Sequence, residues 1–160
     1  MRTKSDAPPG DPAVDGVGRR VCVIVSRFNS AVTERLLEGA ARTLVERGVA
    51  AEHLDTVFVP GAWELPFAAR EAAVRGYDAI VALGCVIRGE TAHFDHVSRG
   101  AADGLARVQL DTGVPVGFGV LTPDNLEQAL ARAGGELGNV GVDAARAALE
   151  MAALRGRLNA

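Results

Sequence analysis

Apolar and polar positions along this chain alternate in blocks that predict strands followed by helices. Four short apolar runs rich in β-branched residues predict strands over residues 21–25, 54–59, 79–87 and 114–121. Apolar residues at helical spacing predict helices over about 30–47, 65–75, 93–112, 123–133 and 142–154. Strands that alternate with helices indicate an α/β fold: a three-layer α/β/α sandwich, flavodoxin-like, with a four-stranded parallel sheet.

Turn-forming residues place the ends of these predicted elements. Asn29 or Ser30 is a suitable N-cap for the first helix, and Gly48 follows its predicted C-cap. Thr122 followed by Pro123 predicts the N-cap and first residue of the fourth helix. The glycine-rich stretch 134–141 predicts a break before the last helix.

Length and composition indicate one domain over 19–160, preceded by a proline- and glycine-rich N-terminal arm over 1–18. The net charge of −3 gives no reason to expect a nucleic acid or an anionic membrane as partner. No apolar run approaches the roughly 20 residues of a membrane span, and no secretory signal is evident. Cys22 and Cys85 lie in apolar runs, which predicts buried, reduced thiols and a cytoplasmic protein.

The sequence AIVALGCVIRGETAHF at 79–94 carries the strongest chemical signal. It places His93 in the first turn of a predicted helix, just after the carboxyl end of a predicted strand. Open α/β sheets bind ligands at that edge, and helix N-termini there offer free N–H groups to an anion. Since histidine exchanges protons near neutral pH, we predict a proton-transfer residue beside an anion-binding turn. We interpret His96, one turn later, as an ordinary surface histidine.

Three further residues, Phe28, Glu64 and Arg132, each have a structural and a functional interpretation, and Phe118 has a structural one. Phe28 follows the first strand, where an aromatic side chain usually packs under the next helix but can also stack on a heterocycle. Glu64, beside Trp63, is equally suited to capping a helix and to accepting hydrogen bonds from a ring. Phe118 lies within a strand, a position typical of the core. Arg132 fits either a helix C-terminus or a phosphate.

Several well-known site patterns are absent from the sequence. There is no G-x-G-x-x-G after the first strand and no P-loop, which disfavours dinucleotide and nucleoside-triphosphate binding. No serine or cysteine lies in a nucleophile elbow. His93 and His96 are three residues apart without a well-spaced third ligand, so we expect no metal site.

Taken together, the ordered segments resemble the 6,7-dimethyl-8-ribityllumazine synthase family. The segments that carry the resemblance are SRFN at 26–29, VPGAWELP at 59–66, ALGCVIRGETAHFD at 82–95, PVGFGVLT at 115–122, EQA at 127–129 and RAG at 132–134. The resemblance implies a transferase of riboflavin biosynthesis. Such an enzyme condenses 5-amino-6-(D-ribitylamino)uracil with 3,4-dihydroxy-2-butanone 4-phosphate and releases phosphate and water, without a metal or redox cofactor.

The resemblance also assigns residues to the two substrates. Those assigned to the ribitylaminouracil are Phe28, Ala62, Trp63, Glu64, Cys85, Val86, Ile87 and Phe118. Those assigned to the butanone phosphate are Glu90, Thr91 and Arg132. His93 is implied as the catalytic proton carrier. The family commonly has a lysine where this chain has Val140.

The resemblance further implies a homo-oligomer. Phe118 and Arg132 are expected to reach the site of a neighbouring subunit in a pentamer. The short 134–141 linker resembles that of members that form 60-subunit icosahedral shells, and riboflavin synthase is a candidate enclosed partner. Two other functions stay open: a non-catalytic flavin- or lumazine-binding relative, and a shell protein that encloses a partner enzyme.

Overall fold

A four-stranded parallel sheet with the strand order β2-β1-β3-β4 forms the centre of the molecule. The computed structural model describes residues 15–160. The strands of this sheet are β1 (Val21–Ser26), β2 (Leu54–Val59), β3 (Ala79–Cys85) and β4 (Val116–Leu121). The helices are α1 (Ser30–Glu46), α2 (Leu65–Ala73), α3 (His93–Thr112), α4 (Leu126–Ala131) and α5 (Val140–Leu158). A short antiparallel hairpin of β5 (Ala133–Gly135) and β6 (Gly138–Asn139) lies between α4 and α5.

Helices cover both faces of the sheet, which confirms the predicted three-layer α/β/α architecture. Side chains of β1 alternate between the two layers, as expected for period-2 geometry. Val21, Val23 and Val25 pack with the buried faces of α1 and α5, whereas Cys22 and Ile24 pack with those of α2 and α3. No helix within residues 15–160 is long and apolar enough to cross a membrane.

Glycines allow α5 to approach its neighbours closely. A Cβ atom at Gly117 of β4 would clash with the Ala144 carbonyl, and one at Gly141 would clash with the Leu36 carbonyl of α1. Asn139 fixes the start of α5, because its Oδ1 accepts from the Gly141 N–H at 2.8 Å. The Asn139 side-chain amide also donates to the Arg35 carbonyl of α1 at 3.1 Å.

The predicted cap of the fourth helix is wrong. Thr122 and Pro123 stay outside the helix, because the Pro123 carbonyl accepts the Arg88 N–H at 2.9 Å and so extends the pairing of β3 with β4. The actual N-cap is Asn125, whose Oδ1 accepts from the Gln128 N–H at 2.9 Å. The helix therefore begins at Leu126 and ends at Ala131, two residues earlier than expected.

Other boundaries also differ from the prediction. The predicted 134–141 break contains the β5–β6 hairpin, and α5 is longer than the predicted 142–154 helix at both ends. The third strand ends at Cys85 rather than residue 87, although the Val86 N–H still donates to the Leu121 carbonyl at 2.8 Å. Of the predicted arm, residues 1–14 lie outside the described residues. Asp15 forms an ion pair with Arg47 at 3.2 Å.

Candidate active site

A cleft of about 740 Å³ opens at the carboxyl ends of β1, β2 and β3. The chain leaves β1 towards β2 on one side and returns to β3 on the other, so this edge is the topological switch point of the sheet, where such folds bind ligands. The residues that line the cleft are Phe28, Asn29, Pro60, Gly61, Ala62, Trp63, Glu64, Cys85, Val86, Ile87, Gly89, Thr91, His93, Phe94, His96 and Val97. Its volume suits a small-molecule ligand.

Hydrogen bonds tie the loops at the base of the cleft together. The Phe28 N–H donates to the Pro60 carbonyl at 3.2 Å. The Asn29 side-chain amide donates across the switch point to the Cys85 carbonyl at 2.8 Å. Asn29 takes the N-cap position of α1 as predicted, but with a left-handed φ of 59° and without a side-chain capping bond. Asn29 is not among the predicted site residues, because an asparagine before a helix normally indicates a cap.

Two aromatic side chains are exposed at the cleft. Phe28 is 73% exposed and Trp63 is 62% exposed, so neither is a core residue. The structure thus contradicts the packed interpretation of Phe28 and leaves its ring available for stacking. Trp63 lies against α3 at Gly100, where an added Cβ would overlap the indole ring. The absence of a side chain at Gly100 therefore helps to set the position of the tryptophan.

Glu64 caps the short 3₁₀ turn that lines the cleft. Its Oε2 accepts from the Gly61 N–H at 3.0 Å, in the turn that precedes α2. Glu64 is only partly exposed and lines the cleft. The cap holds the carboxylate in place in a residue that also lines the cleft, so the two interpretations of Glu64 are compatible.

Residues 85–87 present backbone groups to the cleft. The Val86 N–H donates to the Leu121 carbonyl and the Arg88 N–H to the Pro123 carbonyl, both on the β4 side of the segment. Because backbone polar groups alternate in direction along an extended chain, the N–H and carbonyl of Ile87 face the opposite side, where β1 has ended. Burial raises the pKa of the Cys85 thiol to about 11, so this thiol is protonated and is not a nucleophile at neutral pH.

His93 is the first residue of α3, which confirms its predicted place in the first turn of a helix. Its N–H lies 3.3 Å from the Thr91 Oγ1, and both residues line the cleft. His96, interpreted above as a surface histidine, also lines the cleft one helical turn away. The i, i+3 spacing that puts both residues on one face was visible in the sequence; the helix rotation that turns this face inward was not.

Three of the predicted site residues lie outside this cleft. Glu90 is exposed beside it. Phe118 is 46% exposed on the edge strand β4 and lines a separate groove of about 380 Å³ against α5, which contradicts its interpretation as a core residue. Arg132 is the C-cap of α4, and its Nη1 donates to the Gln128 carbonyl at 3.3 Å. The other nine lie together in the cleft.

Comparison with known proteins gives the family of this chain. Residues 18–156 match the sequence profile of 6,7-dimethyl-8-ribityllumazine synthase. A 6,7-dimethyl-8-ribityllumazine synthase of Gemmatimonas aurantiaca is 55% identical over 143 residues, which cover 89% of this chain and 86% of that relative. The chain belongs to the 6,7-dimethyl-8-ribityllumazine synthase family. Family membership confirms the resemblance and the predicted class, a transferase of riboflavin biosynthesis, and does not favour the non-catalytic or shell-only alternatives.

Proposed function

We propose that this cleft condenses 5-amino-6-(D-ribitylamino)uracil with 3,4-dihydroxy-2-butanone 4-phosphate to 6,7-dimethyl-8-ribityllumazine, with release of phosphate and water. The observation that carries the proposal is the gathering of eight predicted substrate residues and the predicted catalytic His93 in a single cleft at the switch point of the sheet. Family membership supports the reaction class.

The pyrimidine binds at the end of the cleft formed by the β1 and β2 loops. Phe28 offers an exposed ring face for stacking, and Ala62 and Trp63 form the adjoining wall. The backbone of Ile87 offers one donor and one acceptor to the edge of the uracil ring. Glu64, held in place by the Gly61 N–H, accepts hydrogen bonds from ribityl hydroxyls.

The phosphate of the second substrate binds at the turn before α3. N–H groups at the start of this 20-residue helix and the Thr91 hydroxyl suit an anion. The Glu90 carboxylate points away from the phosphate, since two anions repel each other. Arg132 of a neighbouring subunit supplies the countercharge. Because Val140 stands where the family commonly has lysine, Arg132 provides a larger share of the positive charge at the phosphate in this protein.

His93 transfers protons between the two substrates. Amine addition to the ketone, dehydration, phosphate elimination and ring closure all move protons, and an imidazole can accept and donate them near neutral pH. The cleft also holds both substrates together. Such orientation is worth up to about 7–11 kcal/mol and is the larger contribution to the rate.

The catalytic form is a pentamer or a shell of 60 chains. Five of the seven aromatic side chains are exposed, namely Phe28, Phe58, Trp63, Phe67 and Phe118, which is unusual for a monomer. In the pentamer, Phe118 completes the pyrimidine site of a neighbour. A shell would enclose riboflavin synthase. Two free, buried cysteines support a cytoplasmic location.

The direct test mixes both substrates with the purified protein and follows the lumazine chromophore. The expected result is a rate well above the uncatalysed condensation that saturates with both substrates. Product formation at the uncatalysed rate, with tight binding of lumazine, would instead support a non-catalytic binding protein.

A further inference from the structure

Arg88 lies between the end of β3 and the turn at 89–91, and it contacts two other segments of the chain. Its N–H donates to the Pro123 carbonyl at 2.9 Å, and its Nε pairs with the Asp124 Oδ1 at 2.9 Å. Its Nη1 lies 3.7 Å from the Asp95 Oδ1 on α3, and its guanidinium lies 4.3 Å from the centroid of the Phe94 ring. Arg88 thereby joins the turn at 89–91, the first helical turn of α3 and the loop between β4 and α4.

Hydrogen bonds continue this connection from Asp124 to Arg132. The Asp124 N–H donates to the Gln128 Oε1 at 2.8 Å, and the Gln128 N–H donates to the Asn125 Oδ1 at 2.9 Å. The Arg132 Nη1 donates to the Gln128 carbonyl at 3.3 Å. An unbroken chain of polar contacts therefore runs from Arg88 to the arginine assigned to the phosphate.

These ion pairs contribute little to folding. The side chains of Arg88, Asp95 and Asp124 are 50%, 60% and 64% exposed, and exposed pairs add little stability because water screens them. The network instead fixes the relative positions of its segments, since a planar guanidinium can donate to two carboxylates and stack on a ring only in restricted orientations. Removing it should therefore change the relative placement of its segments without unfolding the protein.

We propose that Arg88 is a positioning residue for phosphate binding. It holds the turn at 89–91 and the start of α4 in a fixed relation, and so couples the phosphate turn of its own cleft to Arg132. This inference rests on the proposed function, in which Arg132 serves a neighbouring subunit. Arg88 then connects the phosphate turn of a chain's own active site with Arg132, which the same chain contributes to the active site of its neighbour.

The test compares Arg88→Gln with the matched control Arg107→Gln. Arg107 pairs with Asp111 at 3.2 Å on the exposed side of α3, outside the cleft. For Arg88→Gln we expect the Kd for inorganic phosphate, by calorimetry, and the KM for the phosphorylated substrate to rise roughly 3- to 30-fold. The KM for the pyrimidine and the thermal midpoint should stay close to those of Arg107→Gln. Arg88→Lys should recover part of the loss, because one ion pair can form.

Asp124→Asn separates positioning from direct binding. If Arg88 were itself a phosphate ligand, removing the competing carboxylate would tighten phosphate binding. Positioning predicts the opposite: Asp124→Asn weakens phosphate binding, and the double variant is no weaker than Arg88→Gln alone. Tighter binding in Asp124→Asn, multiplicative losses in the double variant, or an Arg88→Gln variant that matches Arg107→Gln would each overturn the proposal.

The positioning role of Arg88 and the proposed function can each fail without the other. A wild-type protein that makes no lumazine would overturn the proposed function, while the phosphate titration would still decide the role of Arg88. A wild-type protein that binds no inorganic phosphate would overturn the positioning role even if lumazine forms.

Discussion

His93 combines a position in the first turn of α3, at the cleft, with an imidazole, the side chain most often used for general acid–base catalysis. We expect His93→Ala to lower kcat by roughly 10- to 100-fold, at or below the lower end of general acid–base contributions. The loss is limited because substrate orientation supplies most of the acceleration. Steady-state lumazine formation by the purified variant measures it.

The matched control for this variant is His53→Ala. His53 lies in the 3₁₀ turn before β2, outside the cleft. Its replacement should leave kcat unchanged. A His93→Ala enzyme as fast as His53→Ala would remove His93 from the mechanism.

The cysteine thiols should be slow to react in the native protein. Burial raises the pKa of both Cys22 and Cys85 to about 11, so little thiolate is present at pH 8. Iodoacetamide labelling, followed by intact mass, should be much slower in the native protein than in guanidinium at the same pH. The thiol pKa is higher in the folded protein than in the unfolded chain, so the unfolded chain loses the thiol protons first as pH rises. The free energy of unfolding should therefore fall between about pH 9 and pH 11. Equal labelling rates in the two states would contradict the burial argument.

Single side chains were the hardest feature to predict from the sequence. Phe28, Glu64 and Phe118 each fitted a structural and a functional role, and the choice depended on which way the side chain faces in the folded chain. His96 and Asn29 show the same problem, since neither residue type marks a cleft by itself. The resemblance supplied assignments that periodicity could not.

At the scale of elements, Asn139 is the residue on which the start of α5 depends. It caps the helix and also joins it to α1 through the Arg35 carbonyl. Asn139→Ala should destabilise the protein by about 1–2 kcal/mol, the upper part of the range for a lost N-cap, because the hydrogen bond to the Arg35 carbonyl is lost as well. The thermal midpoint should fall by roughly 2–8 °C at fixed protein concentration. Asn159→Ala, at the exposed C-cap of the same helix, is the control and should change the midpoint little.

The long elements were predictable because their apolar patterns are strong. The buried strands β1 and β3 follow from their apolar runs and the helices α1 and α3 from helical periodicity, with errors of one or two residues at the ends of β1, β3 and α1. The β5–β6 hairpin was missed because strands of three and two residues that are mostly glycine carry no alternation. The cap of α4 was misassigned because Thr122-Pro123 has the right chemistry, yet its backbone pairs with the Arg88 segment instead.

At the scale of the whole molecule, the fold was predictable and the assembly is a proposal. The alternation of strands and helices restricts the topology to a parallel sheet covered on both faces, as the structure has it. The complete site involves residues of two chains in our account, and a single chain carries only indirect signs of that, in its exposed aromatic residues.

Light scattering tests the assembly. We expect a mass of at least five times the 16.6 kDa of the chain, and about sixty times that mass for a closed shell. Exposed side chains such as Phe58 and Phe67 should lie in the contacts between subunits, because an isolated subunit leaves them in water. A stable monomer at micromolar concentration would overturn the shared site.

Lumazine formation by mixed oligomers is the decisive test of an active site shared between two subunits. His93→Ala and Arg132→Ala chains are co-expressed and assayed at low butanone phosphate concentration, where loss of Arg132 raises the KM. If His93 and Arg132 meet across a subunit boundary, about a quarter of the sites in randomly mixed oligomers regain both residues. Activity should then exceed that of either variant alone and reach roughly a quarter of wild type. Activity no higher than the mean of the two parent variants would contradict a site built from two subunits.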